Sequence, residues 1–166
     1  MAINKYEKHL LILSEDIAYQ DIAVGFVNHI EGACRRIKIV RPAGGWKKLL
    51  EIFSQEYVSG VRQYENRHVL LLLDLDGRPE RYSGEILGYI PDDINNRVFV
   101  LSCMDEAENF KKEMGTGKSE AIGVKLAESC FKGEYADSDS PWMCPQLLHN
   151  EDELNRLATA VRPFLF

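Results

Sequence analysis

The run Val69-Leu70-Leu71-Leu72-Leu73 is apolar at every position and leads directly into Asp74-Leu75-Asp76-Gly77. A strand with one wet face alternates polar and apolar side chains, so an unbroken apolar run closed by a turn predicts a strand covered on both faces. That is the environment of a central strand in a parallel sheet. Parallel neighbours are joined by crossovers of a dozen or more residues, usually helical, and the rest of the chain has the sequence for them.

His9-Leu10-Leu11-Ile12-Leu13 is a second apolar run, ending in Ser14-Glu15. Ile17, Val24, Phe26, Val27 and Ile30 follow at broadly helical spacing, with Ser14 the predicted N-cap. Arg36 to Val40 alternates as a strand with one wetter face does, and Pro42-Ala43-Gly44-Gly45 ends it. From Trp46 to Tyr64 the spacing predicts one long amphipathic helix with Leu49, Leu50, Phe53, Tyr57 and Val61 on one face. A helix over Tyr82 to Tyr89 is stopped before Pro91, and Arg97 to Leu101 reads as a fourth strand. Helices are expected over Glu106 to Met114 and Ser119 to Cys130. An acidic loop from Gly133 to Cys144 follows, then a last helix through Val161 capped by Asn150.

Strands interleaved with helices predict an α/β fold: a Rossmann-like sheet of about four parallel strands flanked by helices. The 166 residues fit one domain. Its core spans about 8–106, and a helical C-terminal extension occupies about 107–166.

Composition narrows the classes. With 45% hydrophobic and 28% charged residues the chain is globular rather than disordered or fibrous. No apolar run approaches the ~20 residues that cross a bilayer. Met1 to Lys8 is charged and lacks the apolar core of a secretion signal, so a cytoplasmic protein without membrane contact is expected. Cys34, Cys103, Cys130 and Cys144 form no CxxC pair and are expected as free thiols. His9, His29, His68 and His149 have no metal-ligand spacing.

The net charge of −6 argues against nucleic-acid binding by bulk electrostatics. The charge is unevenly spread, however. Glu31 to Lys48 carries Arg35, Arg36, Lys38, Arg41, Lys47 and Lys48 against one acid, whereas Glu134 to Glu153 carries six acids and no Lys or Arg. Arg41, Lys47 and Lys48 are the candidate contacts to a nucleic-acid backbone.

Ligands of open α/β sheets bind beyond the carboxyl ends of the strands. Four acids fall there: Glu15 after the first strand, Asp74 and Asp76 after the third, and Asp105 after the fourth. Magnesium takes hard oxygen ligands and keeps several waters, so carboxylates from neighbouring strand ends suit it without a closed cage. Several carboxylates in one crevice also repel, and either a cation or a proton must relieve them. Glu15, Asp74, Asp76 and Asp105 are therefore the candidate ligands of Mg²⁺ or Mn²⁺.

A glutamate after the first strand, in Leu13-Ser14-Glu15-Asp16, and a DxD after the third, in Leu73-Asp74-Leu75-Asp76-Gly77, together resemble the Toprim domain. That domain is shared by topoisomerases, primases, a ribosomal-RNA maturase and OLD-type nucleases. The resemblance runs from about Leu10 to Asp105, and Pro42 to Trp46 lies where many such domains place a glycine-bearing loop. Asp16 stands where the family usually has glycine. The resemblance implies a Mg²⁺-dependent nuclease acting on DNA or RNA, with Asp74 and Asp76 holding the metal and Glu15 in acid–base chemistry or metal binding. Small stand-alone Toprim proteins often accompany antiviral ATPases in bacteria, so an ATPase partner is also implied.

Two rivals use the same residues. A receiver domain would phosphorylate Asp74, with Glu15-Asp16 as its acidic pair and Ser102 as its hydroxyl, although no fifth strand ending in lysine is found. A catalytically silent Toprim scaffold would keep the acids as a charge cluster. A dehalogenase-type phosphatase would place Asp74-Leu75-Asp76-Gly77 near its start, not after nearly half the chain. Gly115-Thr116-Gly117-Lys118-Ser119 is no P-loop, because Lys112 occupies the place of the first glycine.

Overall fold

The computed structural model describes residues 2–166, with the side chain of Cys34 outside the described set. Four strands, β1 (His9–Ser14), β2 (Ile37–Ile39), β3 (Arg67–Asp74) and β4 (Val98–Cys103), form one parallel sheet in the order β2-β1-β3-β4. Each of the four predicted strands is present, and the apolar run at 69–73 is interior, paired on both sides. Cys103, Cys130 and Cys144 are free thiols. Among the described residues, no helix is long and apolar enough to cross a membrane.

Helices cover both faces, as the continuous apolar strands require. On one side lie α1 (Ile17–His29), α4 (Ala107–Glu113), α5 (Ser119–Lys132) and α6 (Glu151–Leu165), packed on Leu10, Ile12, Leu70, Phe99 and Leu101. On the other, α2 (Trp46–Ile52) and α3 (Val58–Gln63) join Ile86 and Ile94 over Leu11, Leu13, Val69, Leu71, Leu73 and Val100. The C-terminal extension thus shares the main core: Leu154, Leu157, Val161 and Phe164 are buried in it.

Local details depart from the sequence reading. Ser14 does not cap α1, because it is the buried last residue of β1; Asp16 does, its Oδ1 accepting the Tyr19 N–H at 3.1 Å. The single helix expected from Trp46 to Tyr64 is interrupted by a wide π turn over Phe53–Tyr57. One extra residue in that turn rotates the following face, so that Val58 and Val61 are buried and Tyr57 is left at the rim. The Tyr82–Tyr89 segment is a π turn (Tyr82–Ile86) followed by a 3₁₀ turn (Leu87–Tyr89), anchored by buried Ile86 and half-buried Tyr82. Asn150 stands at the N-cap of α6 without capping it through its side chain.

Asn150 is turned instead to the outer edge of β4. Its Oδ1 accepts the Ser102 N–H at 2.9 Å and its Nδ2 donates to the Ser102 carbonyl at 2.7 Å. Glu153 accepts the Val100 N–H at 2.8 Å, Arg156 donates to the Val98 carbonyl at 2.6 Å, and Gln146 accepts the Asp105 N–H at 2.9 Å. Side chains spaced at about one helical turn therefore satisfy a strand edge that would otherwise be open.

Candidate functional site

The strand order places one topological switch point in the sheet. From β1 the chain leaves through α1 on one face, and from β3 it leaves through the Ile86 and Ile94 turns on the other. The crevice between diverging connections is where open α/β sheets hold ligands. Glu15 follows β1 and Asp74 ends β3, so both stand at that crevice.

Two loops close on it. The Glu15 N–H continues the ladder to the Leu72 carbonyl at 2.9 Å, while the Glu15 carbonyl accepts the Gly44 and Gly45 N–H groups at 2.7 and 3.2 Å. The glycine loop predicted after β2 is thereby tied to the first acid, and its φ angles of +88° and +147° need glycine. Across the crevice, the Leu75 and Gly77 N–H groups donate to the Cys103 and Met104 carbonyls. Asp76 and Gly77 take left-handed φ angles of +49° and +68°. A non-glycine residue held there is unusual, and such strain concentrates at functional turns.

The acids contact one another through this frame. Glu15 Oε2 accepts the Asp74 N–H at 3.0 Å. Asp74 Oδ1 is buried without a partner, and a proton on the Asp74 carboxyl would let it donate to Asp76. Burial raises the Asp74 pKa, and the hydrogen bond to Asp76 and the nearby Glu15 charge raise it further. Burial likewise raises Glu15, partly offset by the Asp74 N–H. Asp76 is held below its ordinary value, first by its bond to Asp74 and then by Arg81.

Arg81 is the residue that the sequence did not mark. Its side chain is only 6% exposed, and Nη1 donates to Asp76 Oδ2 at 2.6 Å. Its guanidinium carbon lies 4.5 Å from the centroid of the Trp46 ring, and its Nε is buried without a partner. In sequence it is one more charge in Arg78-Pro79-Glu80-Arg81; only the turn that brings the Arg81 N–H to the Arg78 carbonyl buries it.

The other candidates lie around this centre. Asp105 braces it: Oδ2 accepts from Gln146 at 3.0 Å, and Oδ1 faces Gly77. Lys47 Nζ stands 5.4 Å from the Trp46 ring, and Arg41, Lys47 and Lys48 are exposed on the segment that carries the glycine loop. Ser102 belongs to the opposite face. Strand alternation puts it with Val100 on the α2–α3 side, whereas Asp74 continues Leu70 and Leu72 on the α1 side, opposite Cys103 in register.

Among the described residues no three His, Cys, Asp or Glu side chains stand together as a ready ion-holding group. The contacts explain the arrangement: Glu15 is engaged by the Asp74 N–H and Asp76 by Arg81. The Asp74–Asp76 pair still suits magnesium, which binds through one or two carboxylates and keeps waters elsewhere. The orphaned Asp74 Oδ1 and the mutual repulsion of the acids are what a cation would relieve. Compared with models of protein families, with curated proteins and with solved structures, the chain has no match.

Proposed function

We propose that this chain is a Toprim-like, Mg²⁺-dependent nuclease or phosphodiester-processing subunit acting on DNA or RNA. The observation that carries the reading is the placement of Glu15 against Asp74 at the switch point of the sheet, with one buried Asp74 carboxylate oxygen left unpartnered. In this reading Asp74 and Asp76 hold the metal. The bound ion would neutralise charge on the phosphodiester and activate water. Glu15, kept partly desolvated and positioned by the Asp74 N–H, accepts a proton from the attacking water. Arg41, Lys47 and Lys48 contact backbone phosphates and supply position without sequence preference. An ATPase partner and a role in antiphage defence rest on the family resemblance alone.

The placement of Ser102 favours this reading over the phospho-acceptor. A receiver hydroxyl has to reach the phosphorylated aspartate, and Ser102 leaves the sheet on the other face, bonded to His149 at 2.8 Å.

The test is incubation of the purified protein with plasmid, linear DNA and structured RNA in Mg²⁺, in Mn²⁺ and in EDTA. Cleavage that needs the metal is the expected result. Asp74→Asn combined with Asp76→Asn should abolish both cleavage and the metal-dependent rise in melting temperature of the parent. A double variant that keeps the full thermal response would remove these acids from the metal site. Replacing Arg41, Lys47 and Lys48 with Ala should lower the slope of log K against log salt by about 2–3, because fewer counterions are released on binding. Equal slopes in parent and variant would mean that this segment faces away from nucleic acid.

A further inference from the structure

Resting on the metal-dependent reading above, we propose that Arg81 is an internal cation that occupies Asp76 until a substrate phosphate takes the place of Asp76 on the guanidinium, so that metal and phosphodiester load together.

The pair is asymmetric. The Arg81 side chain is 6% exposed and that of Asp76 is 48% exposed. The guanidinium is fixed, with the Trp46 ring beside it and its backbone pinned by the Arg78 turn. The Asp76 backbone is fixed too, through the flanking bonds of Leu75 and Gly77 to the end of β4. The half-exposed carboxylate is therefore the part that can move, by rotating about its own side-chain bonds.

Charge then sets the condition for movement. While Asp76 Oδ2 is on Arg81, that oxygen is withheld from the metal. If Asp76 turns to the metal, Arg81 becomes a buried cation with no partner, which is strongly unfavourable. A phosphate oxygen removes that penalty. It accepts from the freed Nη1 in place of Asp76 Oδ2. Guanidinium and phosphate form strong charge-assisted hydrogen bonds. Metal binding is thus disfavoured without substrate and favoured with it, and linkage makes the effect reciprocal.

The experiment is calorimetric titration of Mn²⁺ into the parent, Arg81→Gln and Arg81→Lys, with and without a short phosphorothioate oligonucleotide that resists hydrolysis. In the parent, the oligonucleotide should tighten Mn²⁺ binding about tenfold. Arg81→Gln should bind Mn²⁺ about tenfold more tightly than the parent when no oligonucleotide is present, and the oligonucleotide should no longer alter that affinity. Arg81→Lys keeps the charge but not the planar fork, so it should fall between the two. If Arg81→Gln fails to melt cooperatively, the Lys variant decides by the same criteria. Unchanged or weaker Mn²⁺ binding in the Arg81 variants, or coupling as large as in the parent, would overturn the role of Arg81 while leaving the metal site intact. Absence of Mn²⁺ binding in the parent under every condition would overturn both readings.

Discussion

Glu15→Gln should lower metal-dependent cleavage by about 100-fold or more, the usual worth of a positioned acid or base, and should leave the fold intact. The amide keeps an oxygen that can accept the Asp74 N–H, the bond that ties the two strand ends together. What it loses is the ability to take a proton. The pH profile provides a second check. Burial raises the Glu15 pKa, so its basic form is lost as pH falls through a value above the ordinary carboxylate range. Activity of the parent should therefore rise with pH, and the Gln variant should lose the part of that rise that belongs to Glu15 and keep the part that belongs to Asp74, whose pKa is raised as well. The experiment also separates a nuclease from a phospho-acceptor. Acetyl phosphate with Mg²⁺ would leave a receiver with an alkali-labile mass increase at Asp74. Such an adduct, in a protein that cleaves no nucleic acid, would refute the nuclease assignment.

The largest expected loss of stability comes from two glycines where α1 crosses α5. A Cβ on Gly25 would lie 2.0 Å from the Glu120 carbonyl oxygen, and one on Gly123 would lie 2.0 Å from the Ile22 carbonyl oxygen. Helices α1 and α5 therefore cross with their backbones in contact. Ala in place of either glycine gains about 1 kcal/mol of helix propensity. The atoms it strikes are main-chain atoms that cannot swing aside, and overpacking of that kind costs up to about 3 kcal/mol or more. The clash should win, lowering the melting temperature of Gly25→Ala or Gly123→Ala by several degrees, about 2–4 °C for each kcal/mol of net loss. The double variant should fail to melt cooperatively. Single variants as stable as the parent would mean that the crossing has room to open. Because Asp16, directly after Glu15, caps α1, a displaced α1 should also weaken cleavage.

These two predictions differ in how far the sequence announced them. Glu15, Asp74 and Asp76 were legible because each ends an apolar run, and a run of that kind has few readings other than a buried strand. The parallel sheet followed from the same runs. Gly25 and Gly123 gave no such signal: a single glycine within a helical pattern looks like a tolerated cost, and only the packed crossing turns it into a requirement. Arg81 was hidden for a related reason, since an arginine in a loop is ordinarily a solvated charge. The π turn at Phe53–Tyr57 was illegible because a single inserted residue barely disturbs a helical period. Asn150 reads locally as a cap, yet its side chain serves a strand 48 positions earlier in the chain.

The ladder of side chains from Gln146 to Arg156 along β4 also bears on how this protein can meet another chain. Strand addition, in which a peptide extends an exposed sheet, needs a row of free main-chain donors and acceptors. Along β4 the Val100 and Ser102 N–H groups and the Val98 and Ser102 carbonyls are already occupied. The opposite edge belongs to β2, whose three residues form too short a template to recruit a strand well. Recognition is thereby left to side-chain surfaces and to the crevice at the strand ends, and β4 is shielded from edge-to-edge aggregation for as long as α6 stays docked.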